Sequence, residues 1–145
     1  MKTTSFSLAV FVIGSAVAVL GWWVNQDDPA RTIRLDPRIG PAAPALYKSI
    51  RDAKDWENPY LVILRDGVEV IARRAPSRRR TVTTEHLAQT LIDLPVSDWP
   101  YGKVIAVAEQ HLRAGDGRDD KPIADNLNAA LVVLRKLDLT VDRWP

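Results

Sequence analysis

The chain has 145 residues, a net charge of +2 and no cysteine, which excludes disulfides, thiol nucleophiles, thiolate metal sites and a lipid-modified cysteine anchor. Beyond residue 24 nineteen bases face eighteen acids, a balance of +1 that gives no footing for nucleic-acid binding. About 120 residues after that point suffice for one small domain.

Residues 1–5 form a short tail carrying Lys2. Residues 6–24 then run without charge or strongly polar side chain and stop at Asn25-Gln26-Asp27-Asp28-Pro29. At about 1.5 Å per residue this stretch reaches roughly 28 Å, close to the ~30 Å hydrocarbon core of a bilayer. A retained single-pass anchor and a cleaved signal peptide both fit the basic head and apolar run. Ala16-Val17-Ala18 offers a cleavage match, whereas Trp22 and Trp23 stand where an interfacial aromatic belt holds an uncleaved helix. The tryptophans favour the anchor. Lys2 on one side, with acids directly on the other, sets the N-terminus inside and the body outside. The expected location is therefore the inner (cytoplasmic) membrane with the C-terminal domain outside; the alternative is a secreted or periplasmic protein after cleavage.

Residues 25–58 read as a stalk. Pro29, Pro37, Pro41 and Pro44 resist helix among alternating charges, and a short helix at about 45–56 is expected from Leu46, Ile50 and Ala53 on one face. The domain proper is expected over 59–145. Tyr60-Leu61-Val62-Ile63-Leu64 is a β-rich run, Asp66-Gly67 a hairpin signal, and Val68 to Ala72 the returning strand. A loop follows over 73–80. Thr83-Thr84-Glu85 offers a helix start, Leu87, Leu91 and Leu94 fall at helical spacing, and Pro95 ends the helix.

Asp98-Trp99-Pro100-Tyr101-Gly102 reads as a rigid turn into Val104-Ile105-Ala106-Val107-Ala108. That run is apolar at every position, as a strand covered on both faces requires. A polar loop over 113–120 leads to a second helix striped by Ile123, Leu127, Leu131 and Leu134, with Pro122 in its first turn. Residues 139–144 alternate as a last strand. The fold class is α+β: a β-β-α-β-α-β domain with one mixed sheet and two helices packed on it.

This organisation resembles the ExbD/TolR family. The likeness rests on the membrane segment, the Pro-rich stalk, the 61–72 hairpin, the 84–94 helix and the Leu134-Arg135-Lys136-Leu137-Asp138-Leu139-Thr140-Val141 run. It implies a subunit of an envelope motor complex whose membrane helix carries a titrating aspartate. Residues 6–24 contain no ionisable group, since Ser7 and Ser15 cannot exchange protons near neutral pH. The resemblance therefore extends to a tethered domain and not to energy coupling.

Three constellations are candidates for function. Arg73, Arg74, Arg78, Arg79 and Arg80 put five guanidiniums in eight residues, forks suited to anionic headgroups, acidic glycans or an acidic partner face. Trp99, with Tyr101, could anchor a binding loop, although a small domain also needs such rings for its core. Glu109 and His111 follow the apolar strand, and Asp116, Asp119, Asp120 and Asp125 crowd the next loop; together they define the alternative, a small exported enzyme or metal-binding protein. The aspartate spacing does not match an EF-hand loop, and no residue completes a nucleophile-base pair. No cofactor signature is present. The leading expectation is a non-catalytic, membrane-tethered interaction domain with a protein partner or as a homodimer.

Overall fold

The computed structural model describes residues 33–50, 52–74, 78–110 and 120–144. They hold five strands, β1 (Tyr60–Leu64), β2 (Gly67–Ala72), β3 (Arg78–Val82), β4 (Val104–Glu109) and β5 (Thr140–Arg143), with helices α1 (Pro44–Tyr47), α2 (Thr84–Ile92) and α3 (Lys121–Lys136). The strands make one sheet in the order β3-β2-β1-β4-β5. β1, β2 and β3 pair antiparallel, whereas β4 joins β1 and β5 in parallel, each parallel step spanned by a chain segment that carries a helix. The α+β class with one mixed sheet is thus as expected. At the hairpin Leu64 pairs with Gly67, so the two turn residues are Arg65 and Asp66, one position earlier than the Asp66-Gly67 reading.

The largest departure is β3. Residues 73–80 were expected as a loop, yet Arg78–Val82 pairs with β2 along its whole length, giving β-β-β-α-β-α-β. A strand inside a sheet cannot solvate arginines. An edge strand can, and here residues 78–81 are all exposed.

Alternation along the strands builds two cores. On one face Leu61, Ile63, Val68, Val70, Ile105 and Val107 meet Leu87 and Leu91 of α2 and Ile123, Leu127, Ala130 and Leu134 of α3. This is the predicted pair of helical stripes, with Ala130 joining the buried set and Leu131 only half-buried. On the other face Tyr60, Ile71, Val104 and Ala106 meet Tyr47, Trp56, Tyr101 and the partly buried Trp144. Edge-to-face contacts link Trp56 to Tyr47 (5.7 Å between ring centroids), Tyr101 (5.3 Å) and Trp144 (5.3 Å), geometries that aromatic quadrupoles favour.

Residues read as stalk contribute to both cores, Tyr47 and Trp56 to the second layer. Leu35 and Ile39 are buried in the helix-side core, and Tyr47, Trp56 and Asn58 are buried as well. The prolines remove backbone donors but do not stop the segment from packing. Lys103 N donates to Gly40 O and Ala43 N to Tyr101 O, both at 2.9 Å, which ties 40–43 to the turn before β4. The expected 45–56 helix is one turn, Pro44–Tyr47, followed by a 3-10 turn Ala53–Asp55 that Asp52 caps through Lys54 N at 2.9 Å. Leu46, assigned to its apolar face, is exposed, because Tyr47 and Trp56 face the sheet instead.

Among the described residues no helix is long and apolar enough to cross a membrane. The 6–24 segment lies outside them.

Candidate binding surface at the arginine edge

β3 closes one side of the sheet, and no described strand pairs with its outer edge. Register fixes its side chains: Arg78 lies opposite Ala72 and Arg80 opposite Val70, on the helix face, while Arg79 lies opposite Ile71 on the other. The period-2 alternation of a strand therefore splits the arginine cluster by face.

The five guanidiniums have different surroundings. Arg73 stands over the Tyr60 ring, 5.5 Å from its centroid, and its Nη2 reaches the Tyr60 hydroxyl at 3.5 Å. Arg74 pairs with Glu57 at 3.1 Å and donates to Ser97 O at 3.1 Å, bracing the approach to β3. Arg79 pairs with Glu69 at 3.4 Å. Arg78 and Arg80 are exposed and have no ion-pair partner among the described residues.

Beside these two opens a groove of about 530 Å³, lined by Val70 and Ala72 of β2, Arg78, Arg79 and Arg80 of β3, and Thr90, Asp93 and Leu94 at the end of α2. Its walls carry opposite sign. Arginine lines the strand side and Asp93, whose Oδ1 accepts from Gln89 at 2.7 Å, the helix side. The Thr90 hydroxyl donates to His86 O at 2.9 Å and so keeps its lone pairs for a visitor.

Asp98 lies close enough to sense both Arg74 and Arg78. Burial pushes its carboxyl above the ordinary range while the two guanidiniums pull the other way. Asp98 Oδ2 and Trp99 Nε1 are buried without a hydrogen-bond partner among the described residues.

No family model, curated protein or solved structure matches this chain. The site must therefore be judged on its own geometry.

The remaining sequence candidates fall elsewhere. Trp99 (4 % exposed) belongs to the helix-side core and Tyr101 (8 % exposed) to the aromatic layer on the opposite face. Glu109 pairs with Arg143 at the far edge of the sheet. His111, Asp116 and Asp119 lie outside the described residues, and Asp120 is the exposed residue before α3, making no side-chain cap bond. Among the described residues no three metal-ligating side chains converge.

Sequence reasoning found the arginines but not their companions Thr90, Asp93 and Leu94. The Arg78-x-Arg80 alternation was the available signal for a strand with two guanidiniums on one face. Nothing local indicated that the end of α2 would stand across from it.

Proposed function

We propose that this chain is a non-catalytic, membrane-tethered interaction domain, held by residues 6–24 with its body outside a bacterial-type inner membrane, and that it works as a subunit of an envelope assembly. The apolar N-terminal segment with Lys2 before it and two acids after it supports the tether and its orientation. The observation that carries the interaction reading is the β3 edge that no described strand pairs, where Arg78 and Arg80 stand exposed, without an ion pair among the described residues, beside an open groove. Cations without an ion pair among the described residues favour recognition of an external anion, because their charge-assisted bonds remain to be made.

The test is a photo-crosslinking amino acid placed at position 81, an exposed position of the same strand that leaves both arginines in place, in the full chain in its native cells, with position 136 on the exposed flank of α3 as the comparison. A discrete protein adduct from position 81 and none from 136 is the expected result. Absence of any adduct from position 81 while the protein accumulates in the membrane would overturn the assignment of this edge as the contact surface. A reporter enzyme active only outside the cytoplasm, fused after Pro145, should be active; inactivity would overturn the orientation.

A further inference from the structure

We propose that the outer edge of β3 receives an extended acidic segment of a protein partner as a sixth strand, with carboxylates at alternate residues of that segment set beside Arg78 and Arg80. The inference rests on the reading of this edge as a contact surface and adds the mode and chemistry of what binds there.

Strand addition follows from position. β3 is terminal in the sheet, so alternate residues of its backbone direct N–H and C=O groups outward, a template for an incoming strand. An incoming strand places every second side chain on the helix face. Those side chains fall beside Arg78 and Arg80, at the mouth of the groove floored by Val70 and Ala72 and walled by Leu94.

Charge selects the occupant. A second copy pairing through its own β3 would set Arg78-Arg79-Arg80 against Arg78-Arg79-Arg80, and like charges on directly opposed positions destabilise a ladder. A glutamate or aspartate at those positions reverses the sign of the interaction. Among the described residues Arg78 and Arg80 have no ion pair to surrender, Asp98 acting on Arg78 only from beyond contact, whereas Arg79 would have to share Glu69, so the acidic residues belong on the helix face rather than the other.

The far wall refines the pattern. Asp93 repels an anion that reaches across to α2, so the preferred side chain is short enough to stop at the arginines. Leu94, Val70 and Ala72 then pack against its methylenes or against a neighbouring apolar residue. An anionic lipid headgroup would satisfy the guanidiniums but would use neither the outward backbone groups nor this apolar floor.

The experiment uses the full-length chain in nanodiscs of zwitterionic lipid. Its probe is a blocked fluorescent peptide of alternating glutamate and valine, read by polarisation. Comparison peptides carry lysine for glutamate, or N-methyl groups on one or the other alternate set of backbone nitrogens. Binding of the acidic peptide is expected to weaken at least roughly tenfold in Arg78→Glu/Arg80→Glu. The same variant should gain affinity for the lysine peptide, and one of the two N-methylated sets should abolish binding. Should the reversed variant fail to fold by circular dichroism, Arg78→Gln/Arg80→Gln replaces it, with weaker acidic-peptide binding still required.

No acidic-peptide binding by folded wild-type protein overturns the proposal, as does binding that survives both variants or tolerates both N-methylated sets. Phosphatidylglycerol vesicles captured through Arg78 and Arg80 while the peptide is ignored would assign the edge to a lipid surface and overturn it too. A position-81 protein adduct in cells combined with failed peptide binding would retain the contact surface and reject the acidic-strand mode alone.

Discussion

The side-chain oxygen of Asn58 accepts from the backbone N–H of Tyr101 at 2.8 Å, while its amide nitrogen donates to Val104 O at 2.7 Å and Gly102 O at 2.9 Å. One fully buried side chain thus fastens the entry to β1 onto the entry to β4. Removing it leaves a buried donor and a buried acceptor facing nothing, an imbalance worth about 1–3 kcal/mol per group. Asn58→Ala should lower unfolding stability by roughly 2–3 kcal/mol. Asn58→Asp should be at least as harmful, since a carboxylate would face two carbonyl oxygens. Urea unfolding of the full chain followed by tryptophan fluorescence checks both.

Gly102 is the second fastening of the same turn. Its φ of +75° is left-handed, and a Cβ there would stand 2.0 Å from Pro41 O, a backbone atom that cannot swing aside. Gly102→Ala should therefore destabilise by roughly 2–4 kcal/mol. It should also detach 40–43, whose bonds to Tyr101 and Lys103 would be pushed apart. Limited proteolysis should reveal faster cleavage within residues 33–43 than in the wild type, and equal cleavage rates would count against the fastening.

These two residues also explain what was legible in the sequence. Val104 to Val107, Leu87 and Leu91, and Ile123, Leu127 and Leu134 bury themselves through local periodicity, as expected, while Ala108, Leu94 and Leu131, read into the same runs, are half-buried. The placement of 33–58 on the domain depends on contacts across 43 to 46 positions, such as Asn58 with Tyr101 and Val104, and no local pattern encodes them. β3 was hidden for another reason. Its residues are exposed on an edge, so it lacks the apolar alternation by which strands are recognised, and Arg78-Arg79-Arg80 looks like loop. The candidate surface was consequently half visible: its charge could be read, but not the strand that presents it or the α2 wall facing it.

At the end of α3, Asp138 N donates to Arg135 O at 3.1 Å and Leu139 N to Leu134 O at 3.0 Å, the paired bonds of a Schellman ending, with Leu139 buried. The residue that must turn left-handed is Asp138, at φ +57°. A side chain there is strained where glycine is not. Asp138→Gly should raise stability by about 0.5–1 kcal/mol. Its exposed ion pair with Lys103, 3.7 Å apart, offers little to set against that gain. Thermal unfolding of the two proteins side by side measures it.

Asp36 receives a forked contact from Arg38, Nη2 to Oδ2 at 2.7 Å and Nε to Oδ1 at 3.0 Å, with Arg38 N adding a third bond at 2.9 Å. The Arg38 side chain, and then its backbone N–H, hold the carboxyl down at about 2 from an ordinary 3.8. A depressed folded value means that this contribution to stability is present above pH 3.8 and is lost as pH falls towards 2. Arg38→Ala should return the Asp36 midpoint towards 3.8, read by carboxyl carbon shifts in an acid titration.

Asp98 runs the other way. Burial raises its carboxyl, so the folded protein holds that proton more tightly than the unfolded chain does. Stability from this group is then greatest at acid pH and declines as pH rises from the unfolded value through the raised folded one. Asp98→Asn removes the penalty of burying the charge. The variant should gain on the wild type as pH climbs from the unfolded value of 3.8 towards neutrality. Because every other group is shared, the difference between the two stability profiles isolates Asp98. Arg78 is one of the cations opposing the shift, so Arg78→Gln should drive the Asp98 midpoint higher still and widen that difference. Stability curves for the three proteins that stay parallel across this range would show that Asp98 is solvated and that Arg78 does not reach it.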